Sequence, residues 1–224
     1  MTNLCSRTSK MPGDSFSTPA KQCKTGSKLA KIAGSVCYEC YALKGAYIWP
    51  IVENAMQYRL DKLNGDSFVS EMVAELNRKR SPYFRWFDSG DVHNVAQALK
   101  IIAVCKLTPN KKHWIPTKER QIWKEALAMD SLPDNAVIRY SAHMIDQAPP
   151  DKWENSSAVV TSHSAQIGKL CEAYRTKKNG VMISHNDYLT AKKEKQIGKI
   201  DLGHCGHCRD CWSSDVKTVS YPKH

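Results

Sequence analysis

The segment Tyr83–Asp91, with the sequence YFRWFDSGD, joins a short aromatic strand to an acidic turn. Its first five residues are typical of a strand buried in a parallel sheet, and the last four are polar residues or glycine that end the strand abruptly. Apolar residues recur at helical spacing on both sides of it, over Ser67–Lys79 and Val92–Leu107. We therefore expect this segment to lie within a succession of strands and helices.

The same alternation extends in both directions along the chain. The further predicted elements are helices over Ile51–Leu63 and Arg120–Met129 and strands over Lys112–Ile115, Ala136–Tyr140, Ala158–Val160 and Val181–Ser184. Short apolar strands that alternate with helices usually pair in parallel. The predicted fold class is therefore α/β, a (β/α) barrel-like or partial barrel with parallel strands.

Both ends of the chain have a different character. Residues 1–36 are rich in Ser, Thr, Lys, Gly and Pro and show neither a helical nor a strand period, which predicts an irregular arm. The tail to His224 is also predicted to be irregular. We expect a single domain over residues 1–224. Its three parts are an N-terminal arm with a cysteine pair (1–50), a β/α core (51–165), and a basic segment with a cysteine-rich metal-binding cluster (166–224).

The composition is that of a basic globular protein. The 224 residues carry a formal net charge of +11, with lysines dense between Gln166 and Ile200. Such a surface favours polyanions, nucleic acid or a nucleotide, although a solvated lysine surface would have the same composition. There is no run of about 18 apolar residues and no signal peptide, so we expect a cytoplasmic protein without a membrane partner. The oligomeric state stays open.

Polar or ionisable residues follow each strand of the predicted core. Barrels and doubly wound sheets build their active sites from the loops at the carboxyl ends of the strands. The candidates are Asp88, Ser89, Gly90, Asp91, Thr117, Lys118, Glu119, Arg139, Ser141, His143, Thr161, Ser162 and His163. We expect catalytic roles for Asp88, Asp91, Glu119, His143 and His163. We expect cofactor binding by Ser89, Gly90, Asp91, Lys118 and Arg139. Roughly half of such residues serve as turns or helix caps, and Asp91 is well placed to cap the next helix.

Nine cysteines in a reducing compartment indicate metal ligands or catalytic thiols rather than disulfides. Cys205, Cys208 and Cys211 stand at C-x2-C-x2-C spacing, and Gly206 lets the loop between them close. Thiolates at this density select zinc, copper(I) or an iron–sulfur cluster, and the same spacing opens the ferredoxin motif that holds a 4Fe-4S cubane. The spacing predicts a metal centre and leaves zinc and iron–sulfur open.

Other cysteines extend these ligands into two sets. Cys171 with the three C-terminal cysteines makes four thiolates, a complete set for zinc or for a cubane. Cys23 with the pair Cys37 and Cys40 makes three, which leaves one metal position open for a substrate or cofactor. A mixed site, in which Cys37 and Cys40 join two of the C-terminal cysteines, is a further arrangement. The cysteines expected to be plain residues are Cys5 and Cys105.

Five motifs together resemble the phage-encoded gene product 88 family. They are TGSKL (25–29), GSVC-x2-CYA-x-KG-x-Y (34–47), RWFDSGD (85–91), HWIPTKE (113–119) and CG-x-CR-x-CW (205–212). The resemblance spans nearly the whole chain and implies a phage or prophage origin, so the cytoplasm would be that of the host cell. It also implies the pairing of an N-terminal cysteine group with a C-terminal one.

A more distant resemblance is to radical S-adenosylmethionine enzymes, although their usual C-x3-C-x2-C motif is absent. It implies a 4Fe-4S cluster on Cys23, Cys37 and Cys40, a turn at Ser89–Asp91 that binds the cofactor's amino group, and an auxiliary cluster on the C-terminal cysteines. The hypothesis is an iron–sulfur enzyme acting on a nucleotide or nucleic acid. Two alternatives stay open, a metal-stabilised nucleic-acid-binding protein and a zinc enzyme that resembles tRNA-guanine transglycosylases, with Asp88 as the nucleophile.

Overall fold

A computed structural model describes residues 3–8, 10–161, 167–171, 173, 177–178, 181–182, 200–201 and 204–223. The strands are β1 (Ser6–Arg7), β2 (Asp14–Phe16), β3 (Tyr83–Trp86), β4 (Lys112–Thr117), β5 (Ala136–Ser141), β6 (Ser156–Val160), β7 (Lys169–Leu170), β8 (Lys177–Lys178), β9 (Val181–Met182), β10 (Ile200–Asp201) and β11 (Thr218–Pro222). The helices are α1 (Lys24–Leu29), α2 (Pro50–Asn64), α3 (Phe68–Arg78), α4 (Val95–Leu107) and α5 (Arg120–Met129). Across the described ranges, no helix combines the length and the apolar composition that a membrane crossing requires.

Eight of the strands form one sheet, in the spatial order β1-β2-β3-β4-β5-β6-β11-β7. Neighbouring strands are parallel except for β1 and β2. β8, β9 and β10 form a small antiparallel sheet. The predicted α/β class with parallel strands is therefore confirmed. In the described part of the chain the large sheet is open, with β1 and β7 at its edges, so closure into a barrel is not confirmed.

The helices pack on one face of the large sheet. Alternate residues of the strands, among them Phe16, Trp86 and Ile115, are fully buried there together with Phe68 of α3 and Ile101 of α4. A parallel sheet needs such a cover because its strands are apolar on both faces. This packing forms the main hydrophobic core.

The cysteine-rich C-terminal segment covers the opposite face. The Trp212 ring lies 5.3 Å from the Tyr83 ring and 5.4 Å from the Trp114 ring, measured between centroids. Its indole N–H donates a hydrogen bond of 2.9 Å to the carbonyl of Phe84. Trp212 thus anchors the loop of C-terminal cysteines to β3 and β4, on the side of the sheet away from the helices.

Most of the predicted core elements are confirmed within a few residues, but α4 begins later than expected. Asn94 caps this helix, because its side-chain oxygen accepts a hydrogen bond of 2.9 Å from the Gln97 amide. The prediction that Asp91 is the cap is therefore wrong. The Asp91 carboxylate faces the end of β4 instead, where it has a different role.

The prediction of irregular chain ends is also wrong. β2 is a parallel neighbour of β3, and β11 inserts between β6 and β7, with Thr218 opposite Ser156 and Val219 opposite Lys169. The carboxylate of Glu75 also holds the N-terminal arm, since it accepts hydrogen bonds from two successive backbone amides. β2 has only three residues, and β11 includes Ser220 and Pro222 among its five, so neither shows the apolar pattern that identified the other strands.

Acid is expected to destabilise this fold through His113. The ring is fully buried in β4. Its Nδ1 lies 3.2 Å from the Trp86 indole N–H, which donates to it, and its Nε2 lies 2.9 Å from the Thr108 hydroxyl oxygen. Burial, followed by the charge of Lys111, lowers the pKa of His113 to about 4. The unfolded chain binds a proton at higher pH than the folded one. The free energy of unfolding should therefore fall by about 3 kcal/mol as the pH drops from about 6.5 to about 4.

Urea unfolding measured across this pH range checks the prediction. In His113→Gln the free energy of unfolding should vary less steeply with pH, whatever its absolute value, because the titrating group is gone. Equal slopes in the variant and the parent protein would show that His113 does not carry the effect.

Candidate functional site

A cavity of about 410 Å³ opens at the carboxyl ends of the parallel strands. Its walls come from the segments that follow β2, β3, β4 and β5 and from β11, which is where ligands bind in open α/β sheets. The predicted site residues that line it are Asp88, Ser89, Gly90, Asp91, Thr117, Lys118 and Ser141, together with Cys23, Cys37 and Cys40. The structure therefore brings the strand-end residues and the N-terminal cysteines to one cavity.

The turn after β3 is built with unusual backbone angles. Phe87 has a φ of 49° and Gly90 a φ of 84°, both in the left-handed region. A Cβ atom on Gly90 would lie 1.9 Å from the Thr18 hydroxyl oxygen and 2.7 Å from the Thr18 carbonyl oxygen. The Thr18 amide donates to the Ser89 carbonyl at 2.9 Å, and the Ser89 hydroxyl donates to the Thr18 carbonyl at 3.1 Å. Ser89 and Gly90 thus join the ends of β2 and β3.

Asp91 connects the ends of β3 and β4. Its Oδ1 accepts hydrogen bonds from the Thr117 hydroxyl at 2.7 Å and the Val92 amide at 2.9 Å, and its Oδ2 accepts from the Lys118 amide at 2.7 Å. A carboxylate has about four acceptor sites, so one is left for a ligand. Burial raises the pKa of Asp91 to about 7 in spite of these bonds. This buried carboxyl group can therefore exchange a proton near neutral pH.

Three thiols meet at one side of the cavity. Burial, and then the charges of Asp91 and of the other two thiols, raise the pKa of Cys23 to about 12. Burial also raises the pKa of Cys37, Lys118 opposes that rise, and Cys40 adds to it. A Cβ atom on Gly26 would lie 3.6 Å from Cys23 Sγ and 3.7 Å from Cys37 Sγ. Cys23 therefore joins the Cys37-x2-Cys40 pair, although 14 residues separate it from Cys37.

Glu119 fixes the loop that carries Cys23. Its Oε1 accepts a hydrogen bond of 2.7 Å from the Thr25 amide, and its Oε2 accepts one of 2.9 Å from the Thr25 hydroxyl. Both carboxylate oxygens of this buried side chain thus bind the first turn of α1. Glu119 was predicted to be catalytic, and the structure places it as a clamp between the end of β4 and the cysteine loop.

Replacing Glu119 with alanine is expected to free this loop. The Thr25 amide would lose its acceptor, at a cost of about 2 kcal/mol in the free energy of unfolding. Cys23 should then react faster with iodoacetamide, which peptide mass spectrometry can follow. Glu119→Gln is the matched control, because its amide oxygen still accepts from the Thr25 amide and most of the protection should remain. Equal Cys23 rates in the parent protein and Glu119→Ala would contradict the clamp.

Asp88 belongs to a polar and aromatic wall at the edge of the cavity. Its carboxylate accepts a hydrogen bond of 2.5 Å from the Tyr47 hydroxyl and forms an ion pair of 3.0 Å with Arg85. The Tyr41 hydroxyl donates to its backbone carbonyl. The Arg85 guanidinium also stacks over the Trp114 ring, 4.5 Å from its centroid. Strand-end position alone predicted Asp88, whereas its contacts with Tyr41 and Tyr47 were missed because these residues lie 47 and 41 positions away in the sequence.

The four remaining candidate cysteines form a second group on the face of the sheet that lies away from the helices. Burial and the charges of Cys205 and Cys208 raise the pKa of Cys171 to about 11. Burial and the charge of Cys171 also raise the pKa of Cys211 to about 12, against a hydrogen bond with Tyr221. Cys211 Sγ lies 3.1 Å from the Tyr221 hydroxyl. Gly206 has a φ of 49°, the conformation that the tight loop needs.

Arg139 organises this second group. Its side chain is fully buried. Its guanidinium donates to the carbonyls of Asp210 and Ser213 at 2.7 Å, Val216 at 2.8 Å and Cys211 at 3.1 Å. Together with longer contacts to two further carbonyls, these bonds engage all three nitrogens of the planar guanidinium group. Arg139 was predicted to bind a cofactor, and the structure places it beneath the C-terminal cysteine loop.

The remaining predicted residues have different positions. Lys118 lines the cavity, and its positive charge opposes the rise in the pKa of Cys37. His143 lies in the loop after β5, where its exposed ring contacts Trp153 at 6.2 Å between centroids and its carbonyl accepts from the Val36 amide. His163 and Ser162 lie outside the described residues, as do most lysines of the 166–200 segment.

In the part of the chain that the structure describes, no three His, Cys, Asp or Glu side chains are grouped so that they could hold a metal ion. A family model described as gene product 88 matches residues 2–214. Neither a curated protein nor a solved structure matches the chain.

Proposed function

Because the chain belongs to the gene product 88 family, whose name states no reaction, we propose its function from the cavity and the cysteines. The proposal is an iron–sulfur enzyme with chemistry of the radical S-adenosylmethionine type, acting on a nucleotide or a nucleic acid. The observation that carries it is the division of seven cysteines into a group of three at the cavity and a group of four beside it.

The seven cysteines match two iron–sulfur clusters in number and chemistry, and each group of thiols would have to close further around its cluster, because no three described His, Cys, Asp or Glu side chains are grouped for a metal ion as they stand. Four thiols form a closed set for one cubane, and three form a set that leaves one iron open. The set of three lies at the cavity, so the open position would face a bound ligand. When bound, a cubane of this kind supplies one electron to the ligand at its open iron. Burial keeps Cys23 and Cys37 protonated, so binding of a cluster would release their protons, since the thiolate is the ligand.

The chain's own residues would bind and orient the ligand. Asp91 keeps one acceptor site for an amino group. The ammonium group of Lys118 suits an anionic group such as a carboxylate or phosphate. The wall formed by Trp114 and Tyr221, whose rings stack at 6.1 Å, offers an aromatic surface at the cavity.

Purification without oxygen, followed by absorption spectroscopy and iron and sulfide analysis, tests this proposal. We expect a brown protein that absorbs near ~400 nm and contains about eight iron atoms per chain, four for each cubane. Cys37→Ser and Cys208→Ser should each lose about half of the iron. Cys5→Ala, at a buried thiol of the main core, is the matched control and should keep all of it. A colourless protein that binds about one zinc would overturn the proposal and leave a four-thiolate structural site.

A further inference from the structure

The segment around the mouth of the cavity carries an unusual number of exposed aromatic and apolar side chains. Trp49 is 60% exposed and Tyr38 is 53% exposed, and Tyr38 also lines the cavity. Ile48 and Ile51 beside Trp49 are exposed as well. Exposed aromatic rings next to a cavity indicate a surface that binds a partner. We call residues 20–51 the lip.

Contacts hold the parts of the lip together on one side of the cavity. Lys21 pairs with Glu53 at 2.5 Å, and the Gln22 amide donates to Gln57 at 2.7 Å, so the segment just before α1 lies against the first turns of α2. Tyr47, two residues before Trp49, reaches the cavity wall through its hydrogen bond to Asp88. The part of the lip that carries Trp49 is therefore tied to the edge of the cavity through Tyr47.

The charge of the lip is strongly positive. Lys24, Lys28, Lys31 and Lys44 are exposed, and in the described part of the chain none of them has an ion-pair partner. Lys24 and Lys28 are four residues apart and share one face of α1. The acidic Glu39 is neutralised by Lys223 at 3.1 Å.

We infer that the lip binds single-stranded nucleic acid and delivers one nucleotide to the cavity. Lysines attract the phosphates, and exposed rings stack on unpaired bases, which a duplex keeps stacked inside. A cavity of about 410 Å³ lies within the size range of small-ligand sites and suits a single extruded nucleotide. This inference rests on the proposed function, since it names the substrate class of that same cavity.

Fluorescence anisotropy on the full chain tests the inference. The probes are labelled thymidine and uridine oligonucleotides of about 15 residues, near the upper site size of such surfaces, and a duplex of the same length. We expect both single strands to bind more tightly than the duplex, with log K falling against log salt at a slope of about −3 for four lysines. A preference between the two single strands would identify DNA or RNA as the substrate.

Substitutions in the lip test which side chains bind the oligonucleotide. Trp49→Ala and Tyr38→Ala should each weaken binding by about tenfold, the loss expected for one stacked base. Met129→Ala is the control, because Met129 is 70% exposed at the end of α5 and should change nothing. Equal affinity for the duplex, or equal effects of Trp49→Ala and Met129→Ala, would overturn the inference. Binding is measured both with and without bound metal. Oligonucleotide binding by the metal-free protein would support this inference even if the iron–sulfur proposal fails.

Discussion

Arg139→Met is expected to lower the free energy of unfolding by about 4 kcal/mol and to release the C-terminal cysteine loop. The guanidinium is the donor for four close carbonyl oxygens of residues 210–216. Methionine fills a similar volume but leaves these buried carbonyls without a donor, and each unsatisfied group costs about 1–3 kcal/mol before the loop relaxes. Removal of the buried charge offsets part of this cost.

Urea unfolding gives the stability change, and the alkylation rates of Cys205 and Cys208 report on the loop. Both rates should rise in Arg139→Met. Arg139→Lys keeps the charge but not the planar fork, so it should recover only part of the stability. Arg80→Met, at an exposed position before β3, is the matched control and should change neither quantity. A parent-like unfolding midpoint in Arg139→Met would refute this role.

Gly90→Ala is expected to destabilise the protein by about 4 kcal/mol and to distort the cavity. The new methyl group would overlap the hydroxyl and backbone carbonyl of Thr18, and the backbone angle is itself unfavourable for alanine. The strands β2 and β3 would have to separate at their carboxyl ends. Binding of any ligand at the turn after β3 should be lost together with the stability.

Gly45→Ala separates these two causes. Gly45 also has a positive φ, of 60°, but a Cβ atom there would meet nothing within 4 Å. Its substitution should cost only about 1 kcal/mol, the backbone contribution alone. Thermal unfolding of both variants measures the difference. Similar losses in the two would mean that the contact with Thr18 is not what requires glycine at position 90.

The local sequence pattern was enough to predict the central strands and helices but not β2 and β11, which lie toward the two sides of the sheet. β3 to β6 and helices such as α3 show clear periods, and strand-end position identified Asp88 and Asp91 as cavity residues. Neither the three residues of β2 nor the polar, proline-containing sequence of β11 shows such a pattern. The parallel pairing of β11 with β6 and β7 depends on contacts across about 60 and about 50 residues respectively, which no local period encodes.

The candidate site shows the same limit. The spacing of the cysteines identified Cys37, Cys40 and the three C-terminal cysteines as candidates, since ligands close in sequence share a loop. The partner of each polar group is set by tertiary structure. Arg139 stands at a strand end but turns to the C-terminal loop, and Glu119 turns to Thr25. The cavity wall of Arg85, Trp114 and Tyr221 likewise comes from distant strands, so it left no signal in the sequence.

The position of β11 sets the order in which the protein can be completed during synthesis. β6 and β7 leave the ribosome first, yet both pair with β11, which is made later. The Cys171 amide bonds to the Ser220 carbonyl at 2.8 Å, so this cysteine finds its place only when β11 has inserted. The strands next to Cys23, Cys37 and Cys40 are synthesised earlier, because β2 and β3 precede β11 in the chain. The second cysteine group can therefore assemble only after β11 has been made, later than the group at the cavity.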